Sequence, residues 1–200
     1  AGTQPEKIEM PEKSLSAYGG FDAWRIIGIG GGGAMFNPAV SPFNPDFASV
    51  SCDMGGSYIT YDGGNQWRMM NLDAMTRFWV FDPVDSNTIY ASALGLFKST
   101  DKGRTWKLFY PRPEDVGGKI SKGDHGDFVL FTRDSSRRRV TAFAIDPENN
   151  SNLYTAISID DSLAVYSSPD AGQSWKKEWE ADATVKNIFI DPSSPSATRT

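Results

Sequence analysis

The chain has 200 residues, a formal net charge of −5 and 39% hydrophobic residues. This composition is typical of a globular protein, and no apolar run reaches the roughly 18 residues that a membrane-spanning helix needs. The acidic balance argues against nucleic acid or an anionic membrane as the main partner. The single cysteine, Cys52, excludes an intrachain disulfide framework and a multi-cysteine zinc site.

Residues 1–18 are predicted to form a polar N-terminal segment. They begin "AGTQPEKIEMPEKS" and contain no apolar signal core, which is typical of a mature, processed protein. Together with the scarcity of cysteine, this favours a secreted or periplasmic location.

A run of four glycines, Gly30 to Gly33, follows in "GIGGGGAMFNP". It is not the phosphate loop that it superficially suggests, because no Lys-Ser/Thr pair follows it and no helical pattern begins there. We therefore expect no nucleotide site. Because glycine has no side chain, the run predicts instead that the backbone passes close to another strand or to a ligand.

The rest of the chain consists of short alternating or β-branched runs separated by Gly, Asn, Asp and Pro, which predicts an all-β fold. Within it the pattern Ser/Thr-x-Asp-x-Gly-x-x-Trp occurs as "TYDGGNQW" (60–67), "STDKGRTW" (99–106) and "SPDAGQSW" (168–175). The Asp can accept backbone N–H bonds across a hairpin turn, the Gly supplies a positive φ, and the Trp packs over the turn. Asp62, Asp101 and Asp170 are thus predicted to be structural.

A second phrase precedes these octapeptides, as "VFDPVDSNTIYAS" (80–92) and "AIDPENNSNLYTA" (144–156), with a less regular copy at 40–51 and a new start at 188–197. Each unit predicts four strands in about 40 residues, the period of a β-propeller blade. Residues 19–200 are predicted to form a partial β-propeller with blades over 19–72, 73–110 and 138–181. A further blade begins in 184–200, and residues 111–139 read as an insertion. Since a propeller needs at least about four blades, the remaining blades are expected in the same or an associated chain.

The repeat does not require an acidic residue at position 53, where the chain has Asp53. It lies nine residues before Asp62, and alignment of the blades on their octapeptides places Ser92 and Asp161 at the same position. It ends a predicted strand before Gly55 and Gly56, a turn that would expose its carboxylate. We therefore predict Asp53 to be the residue that carries chemistry.

The octapeptides resemble the Asp boxes of β-propellers, which lie at the blade periphery. A sharper resemblance covers about residues 24 to 110, where the chain is similar to the N-terminal blade of family 74 glycoside hydrolases, the xyloglucanase group. It rests on Trp24, the four glycines, Ser41-Pro42, Pro45, and Asp53 followed by Gly55, Gly56 and Tyr58.

This resemblance implies a tandem pair of seven-bladed propellers that cleaves β-1,4-glucan with inversion between two aspartates. The role of acting on the catalytic water would fall on Asp53. The general acid belongs to the second propeller, and no residue here matches it. Inversion needs two carboxyl groups about 6.5–9.5 Å apart, so this chain would supply one of the two. No cofactor or metal is expected.

Substrate-binding residues are expected around the same turn. They are Trp24, Gly55, Gly56, Tyr58 and Trp79. Trp24 and Trp79 are free of the Asp boxes and could stack on sugar rings, although Trp79 could equally alternate into the blade core.

The insertion contains the only histidine, His125, between Asp124 and Asp127. A metal ligand or general base is possible there, but with no second His a solvated loop is favoured over a zinc site. Four arginines follow, at 133, 137, 138 and 139. They could bind a uronate or sulfated sugar, or form a solvated strand edge that discourages pairing.

Three function classes fit these patterns. The first is a secreted glycoside hydrolase acting on β-linked glucan, which we favour. The second is another polysaccharide-active propeller, a sialidase or a lyase, although "WRIIG" is a poor match to the opening of a sialidase and a lyase would depend on the insertion. The third is a non-catalytic propeller for binding or assembly, in which Asp53 would be replaceable.

Overall fold

The computed structural model of the protein describes residues 29, 33–54, 56–123, 125 and 127–194. These residues form three four-stranded antiparallel sheets and one two-stranded sheet. In each four-stranded sheet the strands lie in chain order, each hydrogen-bonded to the next, as in a propeller blade. The predicted all-β architecture of four-stranded blades is confirmed.

The strand bounds follow the repeat. Sheet 1 contains β1 (Met35–Val40), β2 (Ala48–Cys52), β3 (Gly56–Thr60) and β4 (Arg68–Met70). Sheet 2 contains β5 (Phe78–Phe81), β6 (Ile89–Ser92), β7 (Leu96–Ser99) and β8 (Lys107–Tyr110). A 3-10 turn (Pro113–Asp115) leads to the hairpin of β9 (Val116–Lys122) and β10 (Asp127–Thr132). Sheet 3 contains β11 (Arg138–Ile145), β12 (Leu153–Ile159), β13 (Ser162–Ser168) and β14 (Lys176–Glu180).

Two hydrophobic cores lie between the sheets. Strand β6 shows why, because its alternate residues point to opposite faces. Ile89 and Ala91 pack toward sheet 1 with Ile59, whereas Tyr90 packs toward sheet 3 with Phe143 at a ring separation of 4.8 Å. Sheet 2 is therefore buried on both faces, and sheets 1 and 3 are each covered by it on one.

The Asp-Pro turn of sheet 2 connects sheets 2 and 3 at one end of the molecule. The carboxylate of Asp82 is buried and accepts the backbone N–H groups of Val84 and Asp85 at 2.8 and 2.9 Å. Its second oxygen accepts the Asn150 side-chain amide from sheet 3 at 3.0 Å. The Asp82 carboxylate thus stabilises its own turn and also connects it to sheet 3.

The opposite end of the sheets, which we call the upper end, carries the turns after β2, β6 and β12. Because antiparallel strands alternate in direction, this end also carries the links between sheets, residues 71–77 and 111–137. The Asp boxes lie at the lower end.

Sheet 3 projects farthest at the upper end. Strands β5 and β11 both stop immediately before their Asp-Pro pairs, but β5 has 4 residues and β11 has 8. The Ser92 hydroxyl at the top of β6 donates to the Val140 carbonyl at 3.2 Å, so Arg138 and Arg139 carry β11 about 7 Å beyond sheet 2, at roughly 3.3 Å per residue.

The insertion folds as the β9–β10 hairpin and lies against the link between sheets 1 and 2. Lys119 Nζ contacts Asp73 Oδ2 at 2.6 Å, and the Phe128 N–H donates to the Asp73 carbonyl at 2.9 Å. The Met75 N–H donates to Asp127 Oδ1 at 2.9 Å. The hairpin therefore spans the upper end of sheet 2. The blade limits given above stay a prediction, and residues 181–194 follow β14 without a strand.

Candidate functional site

Asp53 and Asp62 lie at opposite ends of the same strand. Asp53 is in the turn before β3 at the upper end, and Asp62 follows β3 at the lower end. The five residues of β3 separate the two carboxylates by about 16 Å. Two acidic residues that look alike in the sequence thus face different parts of the molecule.

The Asp-box carboxylates are committed to their own turns. In sheet 2, Asp101 Oδ1 accepts the Ser99 hydroxyl at 2.7 Å and the Thr105 N–H at 2.8 Å, and Oδ2 accepts the Thr105 hydroxyl at 2.6 Å. Hydrogen bonds from the Thr105 side chain and backbone lower the pKa of Asp101 to about 2. With both oxygens occupied, this carboxylate is structural.

The other two boxes repeat the arrangement. Asp170 accepts the Ser168 hydroxyl at 2.8 Å and the Ser174 N–H at 2.8 Å, and its bonds with Ser174 and Ser168 lower its pKa to about 2. Asp62 accepts the Thr60 hydroxyl and the Gln66 N–H, both at 2.9 Å, and its pKa is also lowered, most by the Gln66 bond. The three boxes therefore behave as the sequence predicted.

Asp53 is held by one oxygen only. The Ala34 N–H donates to Asp53 Oδ1 at 2.9 Å, and the Asp53 N–H donates to the Ala34 carbonyl at 3.2 Å. The Cys52 thiol lies 3.8 Å from the same Oδ1. Among the residues that the structure describes, none donates a hydrogen bond to Oδ2, and the residue is half-buried. A carboxylate with one fixed and one open oxygen can accept a proton from a bound water.

Gly33 explains part of the glycine run. Its φ is +108°, and a Cβ at this position would lie 2.6 Å from Asp53 Oδ1 and 2.8 Å from Cys52 Sγ. Only glycine lets the backbone pass this close to the carboxylate. The predicted close approach is therefore real at Gly33, and Gly30 to Gly32 lie outside the described residues.

The contact between Asp53 and Ala34 has a counterpart in sheet 3. The Arg137 N–H donates to Asp160 Oδ1 at 2.9 Å, and the Asp160 N–H donates to the Arg137 carbonyl at 2.8 Å. In each case the aspartate begins the turn after the second strand of its sheet. It forms two hydrogen bonds with the residue that precedes the first strand of that sheet. Asp53 thus has a structural role that the sequence did not reveal.

This geometry corrects the alignment of the blades. Strand pairing matches Cys52 with Met35, Ser92 with Phe78, and Ile159 with Arg138. The residues that follow are Asp53, Ala93 and Asp160, so the sequence positions predicted as equivalent, Ser92 and Asp161, are each wrong by one. The cause is that β3, β7 and β13 have 5, 4 and 7 residues, so a fixed offset from the Asp box does not hold.

The structure places the predicted substrate-binding residues unevenly. Gly56 begins β3, is buried and pairs with Cys52, whereas Tyr58 is half-buried in the middle of β3. Trp24 and Gly55 lie outside the described residues. No hydrogen bond links Tyr58 to Asp53 among the described residues.

Trp79 lies in the core between sheets 1 and 2. It is 8% exposed, and its ring is 6.1 Å from that of Trp106. This burial favours the blade-core alternative over a sugar platform. Its indole N–H has no hydrogen-bond partner among the described residues. Trp179, in contrast, is 49% exposed on β14.

His125 and the arginines lie on the upper end with Asp53. His125 is exposed at the tip of the β9–β10 hairpin, and the arginines surround the turn from β10 into β11. The described residues contain no group of three His, Cys, Asp or Glu that could hold a metal ion. No helix in the part of the chain that the structure describes is long and apolar enough to cross a membrane.

Sequence comparison adds no relative, because no protein-family model and no curated protein matches the chain. Structure comparison finds several. An ancestral GH74 enzyme aligns at 18% identity with a TM-score of 0.51, over 73% of this chain and 20% of that one.

Two further solved structures align with lower scores. The GH74 xyloglucanase from Xanthomonas campestris gives a TM-score of 0.41 at 18% identity, over 78% of this chain and 34% of that one. YCF48 from Cyanidioschyzon merolae gives 0.39 at 12% identity, over 82% and 62%. The chain therefore spans 20% to 62% of the lengths of these structures.

Of these three alignments the first has a TM-score above 0.5, and at 18% identity it shows the fold and not the chemistry. The fold is thus that of Asp-box β-propeller blades, structurally similar to the propellers of family 74 glycoside hydrolases over about three quarters of the chain.

Proposed function

We propose that the chain is part of a secreted or periplasmic glycoside hydrolase that cleaves β-linked glucan, such as xyloglucan, by an inverting mechanism with two aspartates. In this proposal Asp53 acts on the catalytic water. A partial propeller implies further blades elsewhere, and the general acid would come from outside this chain. Two carboxyl groups about 6.5–9.5 Å apart would leave room for that water.

The open Oδ2 of Asp53 is the observation that supports the proposal most. Oδ1 accepts the Ala34 N–H at 2.9 Å, which orients the carboxyl group, while none of the residues that the structure describes bonds to Oδ2. Glycine at position 33 makes this orientation possible, because a Cβ there would lie 2.6 Å from Oδ1. A general base needs this combination of fixed orientation and an accessible oxygen.

The test compares Asp53→Asn with Asp62→Asn in the intact protein. Asn keeps an oxygen that can accept the Ala34 N–H, so Asp53→Asn is expected to fold, but it removes the base. We expect its kcat on xyloglucan or β-glucan to fall by at least roughly a hundredfold. Asp62→Asn changes a turn at the far end of the same strand and is expected to retain kcat while losing thermal stability.

Two results would contradict the proposal. One is a folded Asp53→Asn protein that releases reducing ends as fast as the wild type. The other is the absence of any cleavage by the wild type. The anomer of the first product, read by NMR, checks the mechanism, because inversion of a β-linkage releases the α-anomer. Products with the ultraviolet absorbance of an unsaturated uronate would indicate a lyase instead.

A non-catalytic binding or assembly propeller is the second candidate, and one observation favours it. Asp160 makes the same two contacts with Arg137 that Asp53 makes with Ala34. A purely structural role therefore suffices to explain an aspartate at this position. Under this alternative Asp53→Asn and Asp160→Asn would lower the melting temperature alike, and the wild type would bind a polysaccharide or protein without cleaving it.

A further inference from the structure

The lower end of the molecule differs between its two sheet interfaces. Between sheets 2 and 3 the Asp82 carboxylate accepts the Asn150 side-chain amide at 3.0 Å. The backbone fixes the equivalent positions, since the N–H groups of Ser41, Asp82 and Asp146 each donate to the carbonyl six residues later, at 2.9, 3.1 and 3.0 Å. By this register Ser41 takes the place of Asp82, and Ser86 takes the place of Asn150. Within the described part of the chain the two serines form no hydrogen bond with each other.

Both serines line a pocket of about 320 Å³ between sheets 1 and 2. Ser41 is 5% exposed, and its Oγ accepts the N–H of Phe43, whose ring lines the same pocket and is 47% exposed. A third part of the wall is the Tyr61 ring, which stacks on Phe47 at 5.2 Å and lies 4.9 Å from the Arg104 guanidinium. Further blades would pack on the outer faces of sheets 1 and 3, whereas both sheets that form this pocket are already in place.

Two cations line the pocket, and none of the described residues that line it is acidic. They are Lys102 and Arg104 of the Asp box in sheet 2. Lys102 Nζ forms no hydrogen bond or ion pair with any residue that the structure describes. The carboxylate of Asp46, in the turn of sheet 1, lies against the box of its own sheet. The box of sheet 3 has Ala171 and Gln173 at the equivalent positions, so the turn itself does not require these charges.

We propose that this pocket binds a small aromatic carboxylate. The guanidinium and ammonium groups present N–H donors to a negative group, and the two serine hydroxyls can also donate to it. The exposed ring of Phe43 supplies an apolar surface for the body of the ligand. The volume is near the lower limit of small-molecule pockets, roughly 300 Å³, which restricts the ligand in size. The pocket lies at the end opposite Asp53, so it is a separate site and does not depend on the proposed hydrolase activity.

Saturation-transfer NMR titration of the intact protein tests the proposal, with benzoate as the probe and benzamide as its uncharged control. We expect benzoate to bind with a Kd of roughly 1 mM and benzamide at least roughly tenfold more weakly, as loss of a charge-assisted hydrogen bond does. Lys102→Gly should fold, because the box of sheet 1 has Gly63 at this position with φ +66°. It should raise the benzoate Kd roughly tenfold. Ala171→Gly makes the same backbone change in sheet 3 and is expected to bind like the wild type.

The double variant Ser41→Asp with Ser86→Asn closes the pocket without removing a cation. It introduces the pair that connects sheets 2 and 3, so we expect it to keep the melting temperature of the wild type. Its new carboxylate would repel benzoate, and binding should be lost.

Three results would overturn the proposal. One is equal binding of benzoate and benzamide, or no benzoate binding up to about 20 mM, roughly twenty times the expected Kd. Another is benzoate binding that persists unchanged in both Lys102→Gly and the folded double variant. The third is displacement of benzoate by an equal or lower concentration of inorganic phosphate, which would show that the ring contributes nothing. Thermal melting of each variant confirms that it is folded.

Discussion

At the scale of single residues, the position of an acidic side chain in its hairpin decides its availability. The box residue Asp101 has both oxygens bonded within five residues of chain. Asp53 has one oxygen bonded to Ala34, 19 residues earlier, and its other oxygen accepts no bond from the described part of the chain. The same residue type is therefore closed to ligands at the lower end and open at the upper end.

The glycine of an Asp box is required both by its positive φ and by its close approach to the neighbouring sheet. Three glycine-to-alanine substitutions separate these two effects. Gly103 has φ +79°, and a Cβ there would lie 2.5 Å from Ile59 Cδ1 of sheet 1. Gly123 has φ +74° with nothing within 4 Å, and Gly118 has neither constraint. We expect Gly118→Ala to be nearly neutral and Gly123→Ala to cost about 1 kcal/mol of backbone strain. Gly103→Ala should cost roughly 1–3 kcal/mol more, from overpacking.

Urea unfolding of the three variants measures these differences. If Gly103→Ala and Gly123→Ala were equally destabilised, contact between the box turn and the neighbouring sheet would contribute nothing to the role of the glycine. If Gly118→Ala were as unstable as either, the strain argument itself would fail.

At the scale of elements, the β9–β10 hairpin is attached to the link between sheets 1 and 2 by polar contacts of Lys119, Asp127 and Phe128. The Asp127 carboxylate accepts the Met75 N–H at 2.9 Å, and the Lys119–Asp73 pair is solvent-exposed on both sides. Exposed ion pairs contribute little, about 0–1 kcal/mol, so Asp127 is the stronger anchor of the two.

We therefore expect Asp127→Ala to loosen the hairpin without unfolding the sheets. Hydrogen exchange should quicken at the Met75 and Phe128 amides, while amides of β6, at the centre of the molecule, stay protected. Lys119→Ala is the comparison and should change exchange less. Unchanged protection at Met75 in Asp127→Ala would show that the hairpin is held by other contacts.

At the scale of the whole molecule, the described residues leave the outer faces of sheets 1 and 3 uncovered. Sheet 2 is covered on both faces, but Val40 and Met69 of sheet 1 are 56% and 59% exposed, and Trp179 of sheet 3 is 49% exposed. Residues of these types are buried where sheets 1, 2 and 3 meet. The exposed faces are the surfaces on which the further blades of a propeller would pack.

The Asp boxes also make the stability of the whole molecule depend on pH. The pKa values of Asp101 and Asp170 are about 2 in the fold, below the ordinary value of 3.8, because of bonds from Thr105 and Ser174. A carboxyl group whose pKa is lowered by folding stabilises the fold fully above its unfolded pKa, and this contribution is lost as pH falls through the folded value. Stability should therefore decrease between about pH 4 and pH 2.

Thermal melting at pH 5, 4, 3 and 2 checks this dependence. The wild type should lose melting temperature across the window, and the double variant Asp101→Asn with Asp170→Asn should lose less, starting from a lower value at pH 5. Parallel curves for the two proteins would mean that other carboxyl groups cause the acid sensitivity.

The sequence by itself determined the features that depend on nearby residues. The boxes were predictable because the bonds of Asp62, Asp101 and Asp170 close within a few residues, and the four-stranded blades because side chains alternate along each strand. The tertiary structure decided the rest, since those features depend on contacts between distant segments. Trp79 is buried because Trp106 lies beside it, Asp53 is held by Ala34, and unequal strand lengths make Asp160 its counterpart. Pairing with Ile159 places Arg138 on the face of sheet 3 that packs against sheet 2, and Arg137 and Arg139 on the other face.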